Sequence, residues 1–352
     1  MKKKLTAKTT QPFLSLAAVG ILGWLSPTLC KADGPYHFLK EIAIGGEGGW
    51  DYLSVDEAAR RLYVTHATKV MVVDLETDKV VGEIADTPGV HGFAIAPKLE
   101  RGFSSNGQEA KASMVDLKTL KTLSKVGTGD KPDAILFEPA SAAVYTFNGK
   151  SNSVTVFDAA SGKVTATIAL SGKPEFATCD SVAGFVYCNI EDKSEVAVID
   201  AKTHKVVNTW PIAPGEEASG MALDAVNHRL FLGCDNKMMV MMDSTTGKVL
   251  ANVPIGSGVD ANAFDPGTQL AFSSNGEGNV TIAHEDAPDK LTVVQTLVTA
   301  PGARTMTLDP KTHRIYLAAA KYEPSSDAKK RGKIIPGSMK ILVYGLEKDA
   351  TK

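Results

Sequence analysis

The feature that most constrains this chain is a repeat of about 42 residues. In five successive units a short apolar run ends in an aspartate and is followed by a turn that leads to a lysine. The runs read VMVVD, ASMVD, VTVFD, VAVID and MVMMD, and their aspartates are Asp74, Asp116, Asp158, Asp200 and Asp243. Repeats of roughly 40–45 residues with four strands per unit are typical of β-propellers. Because a propeller brings one loop of every blade to a common axis, functional residues are best sought at equivalent positions of the repeat.

Each unit divides into four short strands whose residues alternate between apolar and polar. Seven innermost strands align and read WDYLSV, HGFAIA, DAILFE, EFATCD, SGMALD, DANAFD and RTMTLD. The seventh unit has a third strand at MKILVYG, and the stretch HFLKEIAI at residues 37–44 is the candidate for its fourth. Pairing these two segments removes the last open sheet edges. We therefore predict an all-β, seven-bladed β-propeller with four antiparallel strands per blade, in which the N-terminal strand completes the last blade.

Two features of the repeat point to a known family. The second strands read RLYVTH and AVYTFN, and third strands end in V-x-D before turns such as T-G-K. They resemble the YVTN-repeat family, the YncE-like group of bacterial exported seven-bladed propellers. The nearest copy of the family tetrapeptide is YVTH at residues 63–66. The resemblance spans residues 33–352 and implies the same fold. It implies little about function, because propellers serve as binding proteins, structural modules and enzymes alike.

The first 32 residues have the layout of a secretory signal peptide. Three lysines at positions 2–4 precede an apolar run at 13–25, which is shorter than the ~20 residues that cross a bilayer. Small residues before Asp33 suit cleavage after Ala32. We expect residues 33–352 to form one propeller domain without a transmembrane segment, located in the periplasm or secreted. A lipoprotein anchored at Cys30 is the weaker alternative.

The composition of the exported part argues against a nucleic-acid partner. The chain holds 38 basic and 40 acidic residues, and residues 1–32 contain five lysines and no acid, which leaves the remainder with a net charge of −7. Nucleic acids and anionic membranes need a basic face. The three remaining cysteines, Cys179, Cys188 and Cys234, are too few and odd in number for a disulfide framework. We interpret them as small buried apolar residues.

Ten aspartates have a structural explanation. Five of them end the third strands, as described above, and five more end the first strands, namely Asp56, Asp180, Asp224, Asp265 and Asp309. An aspartate at the start of a turn accepts backbone N–H groups two or three residues further on. We therefore do not count these ten among the functional candidates.

The opposite ends of the blades bring candidate functional residues together. Where the chain enters each innermost strand, four residues before the last apolar position of that strand, the equivalent residues are nearly all polar or ionisable. We call them the funnel ring: Asp51, His91, Asp133, Glu175, Ser219, Asp260 and Arg304. Their convergence predicts a polar, acidic axial funnel that binds a ligand. A hydrated funnel whose polar groups bind only water is the alternative.

The charges of the funnel ring predict a cation. Clustered carboxylates repel one another unless a proton, a cation or an arginine lies between them. We expect Arg304 to neutralise part of this charge, whereas four members from consecutive blades have no evident internal partner: Asp51, His91, Asp133 and Glu175. Carboxylate oxygens with one imidazole suit Ca²⁺, Mn²⁺ or Zn²⁺. These four are our candidate metal ligands.

The second strands end on the same face as the funnel ring. Their last residues are His66, Asn106, Asn148, Asn189, Cys234, Asn275 and Ala319. We interpret the asparagines as turn formers, since asparagine tolerates left-handed backbone angles. His66 is expected beside Asp51 and near His91, as a candidate catalytic proton carrier; a surface histidine without a role is the alternative.

The last blade carries an insertion at residues 321–338 on this face, rich in lysine and arginine. A lid, a docking loop for an anionic partner and a solvated loop are equally open interpretations.

Two classes of function remain. The first is a monomeric, non-enzymatic binding module that presents the funnel to a small molecule, a metal ion or a protein; it is favoured because the chain has no known hydrolase or phosphate-loop motif. The second is a metal-dependent hydrolase or lactonase, in which an axial cation polarises a carbonyl or activates water. A redox propeller is disfavoured, since no C-x-x-C-H haem motif is present.

Overall fold

The computed structural model describes Met1, residues 34–325 and residues 332–346. Apart from Met1, the predicted signal peptide lies outside the described residues, as does the central part of the insertion, 326–331. The described part contains 28 strands in seven four-stranded sheets. No helix in residues 34–325 or 332–346 has the length and apolar character needed to cross a membrane.

The strands follow the predicted order. The N-terminal strand is β1 (His37–Ala43). Blade one contains β2 (Trp50–Asp56), β3 (Arg61–His66), β4 (Lys69–Asp74) and β5 (Lys79–Ile84). Blades two and three contain β6 (Val90–Ala96), β7 (Arg101–Asn106), β8 (Lys111–Asp116), β9 (Thr122–Gly127), β10 (Pro132–Glu138), β11 (Ala143–Asn148), β12 (Ser153–Asp158) and β13 (Val164–Ala169). Blades four and five contain β14 (Pro174–Asp180), β15 (Phe185–Ile190), β16 (Glu195–Asp200), β17 (Lys205–Pro211), β18 (Ala218–Asp224), β19 (Arg229–Cys234), β20 (Met238–Asp243) and β21 (Val249–Pro254). Blades six and seven contain β22 (Val259–Asp265), β23 (Leu270–Asn275), β24 (Asn279–Ala287), β25 (Lys290–Val298), β26 (Met306–Asp309), β27 (Arg314–Ala319) and β28 (Lys340–Gly345).

Two single-turn 3-10 helices, Pro97–Leu99 and Glu191–Lys193, lie in connections.

The predicted ring closure is confirmed. The last sheet has the order β1-β28-β27-β26, and β1 is antiparallel to β28, with Ile42 opposite Ile341. Ile42 is fully buried at 1% exposure. The seven sheets form an all-β, seven-bladed propeller in which the N-terminal strand completes the last blade, so the ring is closed by backbone hydrogen bonds between the two ends of the domain.

One aromatic side chain per blade fills the space between neighbouring sheets. The third residue of every second strand is aromatic and at most 1% exposed, and these residues are Tyr63, Phe103, Tyr145, Tyr187, Phe231, Phe272 and Tyr316. The Tyr187 hydroxyl donates to the Ser244 carbonyl of the next blade at 2.9 Å. Truncating such a side chain to alanine costs about 3–5 kcal/mol, so this column is a principal source of blade-to-blade stability.

The turn aspartates act as predicted. Asp74 Oδ1 accepts the Glu76 and Thr77 N–H groups at 3.0 and 2.7 Å. The Thr77 bonds and that of Glu76 lower the pKa of Asp74. In the third blade, which lacks an aspartate at the end of its first strand, Glu138 accepts the N–H groups of Ala140 and Ser141 instead.

The three cysteines of the described residues are free, and the interpretation as buried residues holds for two of them. Cys188 and Cys234 are buried, whereas Cys179 is half-buried. In the β14–β15 pair, Cys179 lies opposite Val186 and Cys188 opposite Ala177, so the register separates the two thiols.

Candidate functional site

Irregular strand pairing positions the funnel ring. In six blades the register between the first and second strands shifts at the ring residue. In blade one the shift falls between Trp50 and Leu53, and the Thr65 hydroxyl accepts the Asp51 N–H at 3.0 Å. Such a shift inserts one extra residue into the strand, which bends the strand and changes the direction of that side chain. The Thr65 hydroxyl then pairs with the Asp51 N–H, which no longer bonds to the neighbouring strand. In blade seven, Arg304 precedes the strand β26.

Three ring residues from successive blades form a cluster. Asp51 Oδ2 lies 2.6 Å from His91 Nδ1, and Asp133 Oδ1 lies 3.4 Å from the same nitrogen. One ligand atom from each of the three residues lies within 4.8 Å of the others. Burial opposes charge on His91, but the hydrogen bond to Asp51 and the negative charge of Asp133 outweigh it and raise the imidazole pKa. The cluster therefore favours the protonated, positively charged imidazole of His91.

A pocket adjoins this cluster. It has a volume of about 570 Å³ and is lined by Trp50, Asp51, Thr68, His91, Gln108 and Lys131, with glycines completing its wall. A Cβ atom on Gly107 would lie 2.7 Å from His91 Nε2, so the glycine makes room for the imidazole. Residues 34–325 and 332–346 give Nε2 no hydrogen-bond partner, in contrast to Nδ1. Ligand sites of this size are common in proteins.

Glu175 has an internal partner that we did not expect. Its Oε2 lies 2.9 Å from Lys173 Nζ, and Lys173 also hydrogen-bonds Glu191. Burial and the charge of Asp133 raise the pKa of Glu175 to about 7, although Lys173 opposes the rise. The prediction of an unpartnered Glu175 was wrong because Lys173 lies in the loop before β14, outside the aligned column. The structure places Glu175 next to the three-residue cluster but outside it.

Asp260 and Arg304 form the expected ion pair. Arg304 Nε lies 3.1 Å from Asp260 Oδ2, although this buried oxygen accepts no well-aligned hydrogen bond among the described residues. Burial raises the pKa of Asp260 to about 7; Arg304 lowers it, and Asp51 and Asp133 add to the rise. Ser219, the seventh ring member, is buried at 9% exposure. Three of the four ring carboxyls, Asp133, Glu175 and Asp260, thus have raised pKa values, and burial is the largest cause in each.

Tyr52 is a site residue that the sequence analysis missed. Its ring packs edge-on against Phe176 of blade four with centroids 5.2 Å apart, and a contact between blades one and four must cross the propeller axis. Burial and the charges of Glu175 and Asp133 raise the pKa of Tyr52 well above its ordinary value. The sequence could have indicated this contact. At the position directly after the ring residue, five of the seven blades carry Gly, Ala or Thr, and only Tyr52 and Phe176 are large.

His66 lies outside the cluster. It is 1% exposed, and its Nδ1 and Nε2 lie 3.0 and 3.1 Å from the carbonyl oxygens of Gly49 and Gly45. The alternative of a surface histidine was therefore wrong. Through these two contacts His66 fixes the glycine-rich loop 45–49, which connects the closing strand β1 to the first blade.

The asparagines at the second-strand ends are not left-handed turn formers. Asn106, Asn148, Asn189 and Asn275 are completely buried, and none has a positive φ. Asn106 Nδ2 donates to Ser113 Oγ at 2.8 Å across the β7–β8 pair, and Asn148 and Asn275 make similar bonds to third-strand residues. The interpretation was wrong because an amide inside a hairpin can satisfy its own donors without a special backbone angle.

The described ends of the insertion lie against the same face. Tyr322 forms an antiparallel bridge with Ile334, and the Gly337 N–H donates to the Gly46 carbonyl at 2.7 Å. The most basic part, at 329–331, lies outside the described residues. The insertion thus joins the loop 45–49 beside Trp50 and Asp51.

Comparisons with known proteins support the fold alone. No family model and no curated protein matches the sequence. By structure, 1885 solved chains match. One is hydrazine synthase of Kuenenia stuttgartiensis, with a TM-score of 0.50 and 16% sequence identity over 75% of this chain and 99% of that chain. At this identity the likeness defines an architectural class, the β-propellers, and transfers no activity.

Proposed function

We propose that this protein is an exported binding module of the YVTN-repeat, YncE-like type, and that its funnel face holds a divalent cation at Asp51, His91 and Asp133. The observation that carries the proposal is the meeting of two carboxylates and one imidazole from three blades, with ligand atoms within 4.8 Å of one another. Among the described residues, Asp51 and Asp133 have no lysine or arginine partner, in contrast to Glu175 and Asp260.

The distances indicate what a cation would change. Metal–ligand bonds of ~2.1 Å at tetrahedral angles place two ligand atoms about 3.4 Å apart. The His91–Asp133 distance is 3.4 Å, whereas the Asp51–His91 distance of 2.6 Å is that of a hydrogen bond. A cation would therefore replace the proton between Asp51 and His91. A mixed set of one nitrogen and two oxygens suits Zn²⁺ or Mn²⁺ better than Ca²⁺, which prefers six to eight oxygens.

Calorimetric titration of chelator-treated protein with Zn²⁺, Mn²⁺ and Ca²⁺ tests this proposal. We expect one ion per chain and release of a proton, measured from the dependence of the heat on buffer ionisation. Asp133→Asn should weaken binding at least a hundredfold, since a direct ligand matters more than the 10–100-fold of an outer-shell partner. Asp286→Asn is the matched control, because Asp286 pairs with His284 at 2.7 Å outside the funnel. Binding that is absent, or equal in Asp133→Asn, would refute the cation site.

Export is a separate part of the proposal. Its support is the basic and apolar layout of residues 1–32. Mass spectrometry of the protein from fractionated cells should show a chain that begins at Asp33 in the periplasm or medium. A full-length chain in the cytoplasm would contradict this assignment.

A metal-dependent hydrolase or lactonase is the second candidate. The observation in its favour is the 570 Å³ pocket beside the cluster, which offers room for a substrate next to the cation. A cation there would polarise a carbonyl or lower the pKa of a bound water. Metal-loaded protein should then hydrolyse members of a panel of lactones and aryl esters. Turnover no higher than that of Asp133→Asn would exclude this candidate and leave the binding module.

A further inference from the structure

Within residues 34–325 and 332–346, Lys131 is a cation in the pocket without a carboxylate partner. It lines the 570 Å³ pocket together with Asp51, His91 and Trp50. It lies two residues before the cluster residue Asp133 in the chain, and it is exposed. Among the described residues it forms no ion pair, in contrast to Lys173 of the next blade, which bonds two glutamates.

The backbone of Lys131 has a left-handed conformation. Its φ is +53°, a left-handed conformation that costs a non-glycine residue roughly 1 kcal/mol or more. The equivalent residue, two positions before the ring residue, is also left-handed in four other blades, where it is Gly89, Glu217, Gly258 or Gly302. Blade three thus carries a long cationic side chain at a position where glycine fits without strain.

Trp50 supplies an apolar surface in the same pocket. It is half-buried and packs against the core of blades one and seven, and its exposed part lines the pocket beside Asp51. Thr68 and Gln108 add neutral polar groups to the wall. The pocket thus combines an aromatic face, a free ammonium group and the cation cluster.

We propose that this pocket binds a small organic carboxylate, with its anionic group between the bound cation and Lys131 and its apolar body against Trp50. This inference rests on the proposed cation, because Asp51 and Asp133 alone would repel an anion. Binding of the carboxylate should therefore require the metal. A flat, partly apolar monocarboxylate fits the aromatic face of Trp50.

The test uses benzoate as the probe and Mn²⁺-loaded, full-length protein. The Mn²⁺ titration is performed first and reports on the cation site by itself. Benzoate is then titrated by calorimetry, with neutral benzamide as the matched probe, and the water-proton relaxation enhancement of Mn²⁺ is followed at the same time. We expect benzoate to bind, to lower the relaxation enhancement by displacing water, and to bind at least tenfold more tightly than benzamide.

Two variants locate the carboxylate. Lys131→Met keeps the aliphatic stem and should weaken benzoate about fivefold, as expected for one solvent-exposed charge pair, without weakening Mn²⁺. Trp50→Leu should weaken benzoate about tenfold and acetate hardly at all. Lys150→Met, at an exposed lysine outside the pocket lining, is the control and should change nothing.

The outcomes separate the two proposals. Normal Mn²⁺ binding without benzoate binding, equal binding of benzamide, or an unchanged benzoate affinity in Lys131→Met each overturns the carboxylate site and leaves the cation site intact. A protein that binds no Mn²⁺ overturns both.

Discussion

Replacing Glu175 with glutamine should stabilise the metal-free protein at pH 8 and not at pH 4. Burial and the charge of Asp133 raise the pKa of this carboxyl from 4.5 to about 7. Below pH 4.5 the carboxyl is protonated in both the folded and the unfolded chain, so it carries no penalty. As the pH rises from 4.5 to 7, the unfolded chain loses the proton before the folded chain does, and folding becomes less favourable.

The magnitude follows from the pKa difference. Each pH unit of difference between the folded and unfolded pKa corresponds to about 1.4 kcal/mol, so the full penalty above pH 7 is about 3 kcal/mol. The Glu175 side chain is only 13% exposed, so solvent screening is limited. For a domain of this size the melting temperature should rise by roughly 6 °C in Glu175→Gln at pH 8.

Scanning calorimetry of chelated protein at pH 4, 6 and 8 measures this effect. Lys173 retains Glu191 in the variant, so the substitution leaves no unpaired lysine. Glu191→Gln is the matched control: it removes a carboxyl from the same lysine, and Glu191 is more exposed at 27%, so we expect no comparable stabilisation. A Glu175→Gln variant that is destabilised at pH 8 would show that Glu175 is a structural anion. Equal stabilisation at pH 4 would show that the gain does not come from its charge, and either result refutes the reasoning.

Two further predictions concern the closing strand and the loop that follows it. Ile42→Ala should lower the free energy of unfolding by about 3 kcal/mol, because Ile42 is buried in the seam, whereas Phe38→Ala on the same strand, with 50% exposure, should cost much less in the same urea titration. Gly46→Ala should be more destabilising than Gly45→Ala in thermal melts; both glycines have positive φ, but a Cβ on Gly46 would lie 2.5 Å from His66 Nε2 and one on Gly45 meets nothing within 4 Å. If Gly46→Ala and Gly45→Ala lower the melting temperature equally, the contact with His66 is unimportant.

The 42-residue repeat predicts those parts of the structure that recur in every blade. The number of blades, the innermost strands, the closing strand and the aspartate turns could all be deduced, since each depends on local alternation and on turn chemistry that recurs every 42 residues. The aligned column also identified Asp51, His91 and Asp133 as neighbours, because equivalent positions of successive blades face the same axis.

The partners of these side chains could not be deduced from the alignment. Lys173 lies in a connecting loop, and the loop 45–49 that covers His66 occurs only at the closure of the ring. Tyr52 reaches Phe176 three blades away, a contact that depends on the diameter of the closed ring.

The amino-acid sequence by itself therefore determined the backbone positions and the composition of the funnel, because strand period and turn residues act over a few neighbours. Only the tertiary structure decided which carboxyl pairs with a lysine, which pairs with an arginine and which shares a histidine. The register shift in six of the innermost strands sets the direction of those side chains, and burial at the axis shifts the pKa values of their carboxyls.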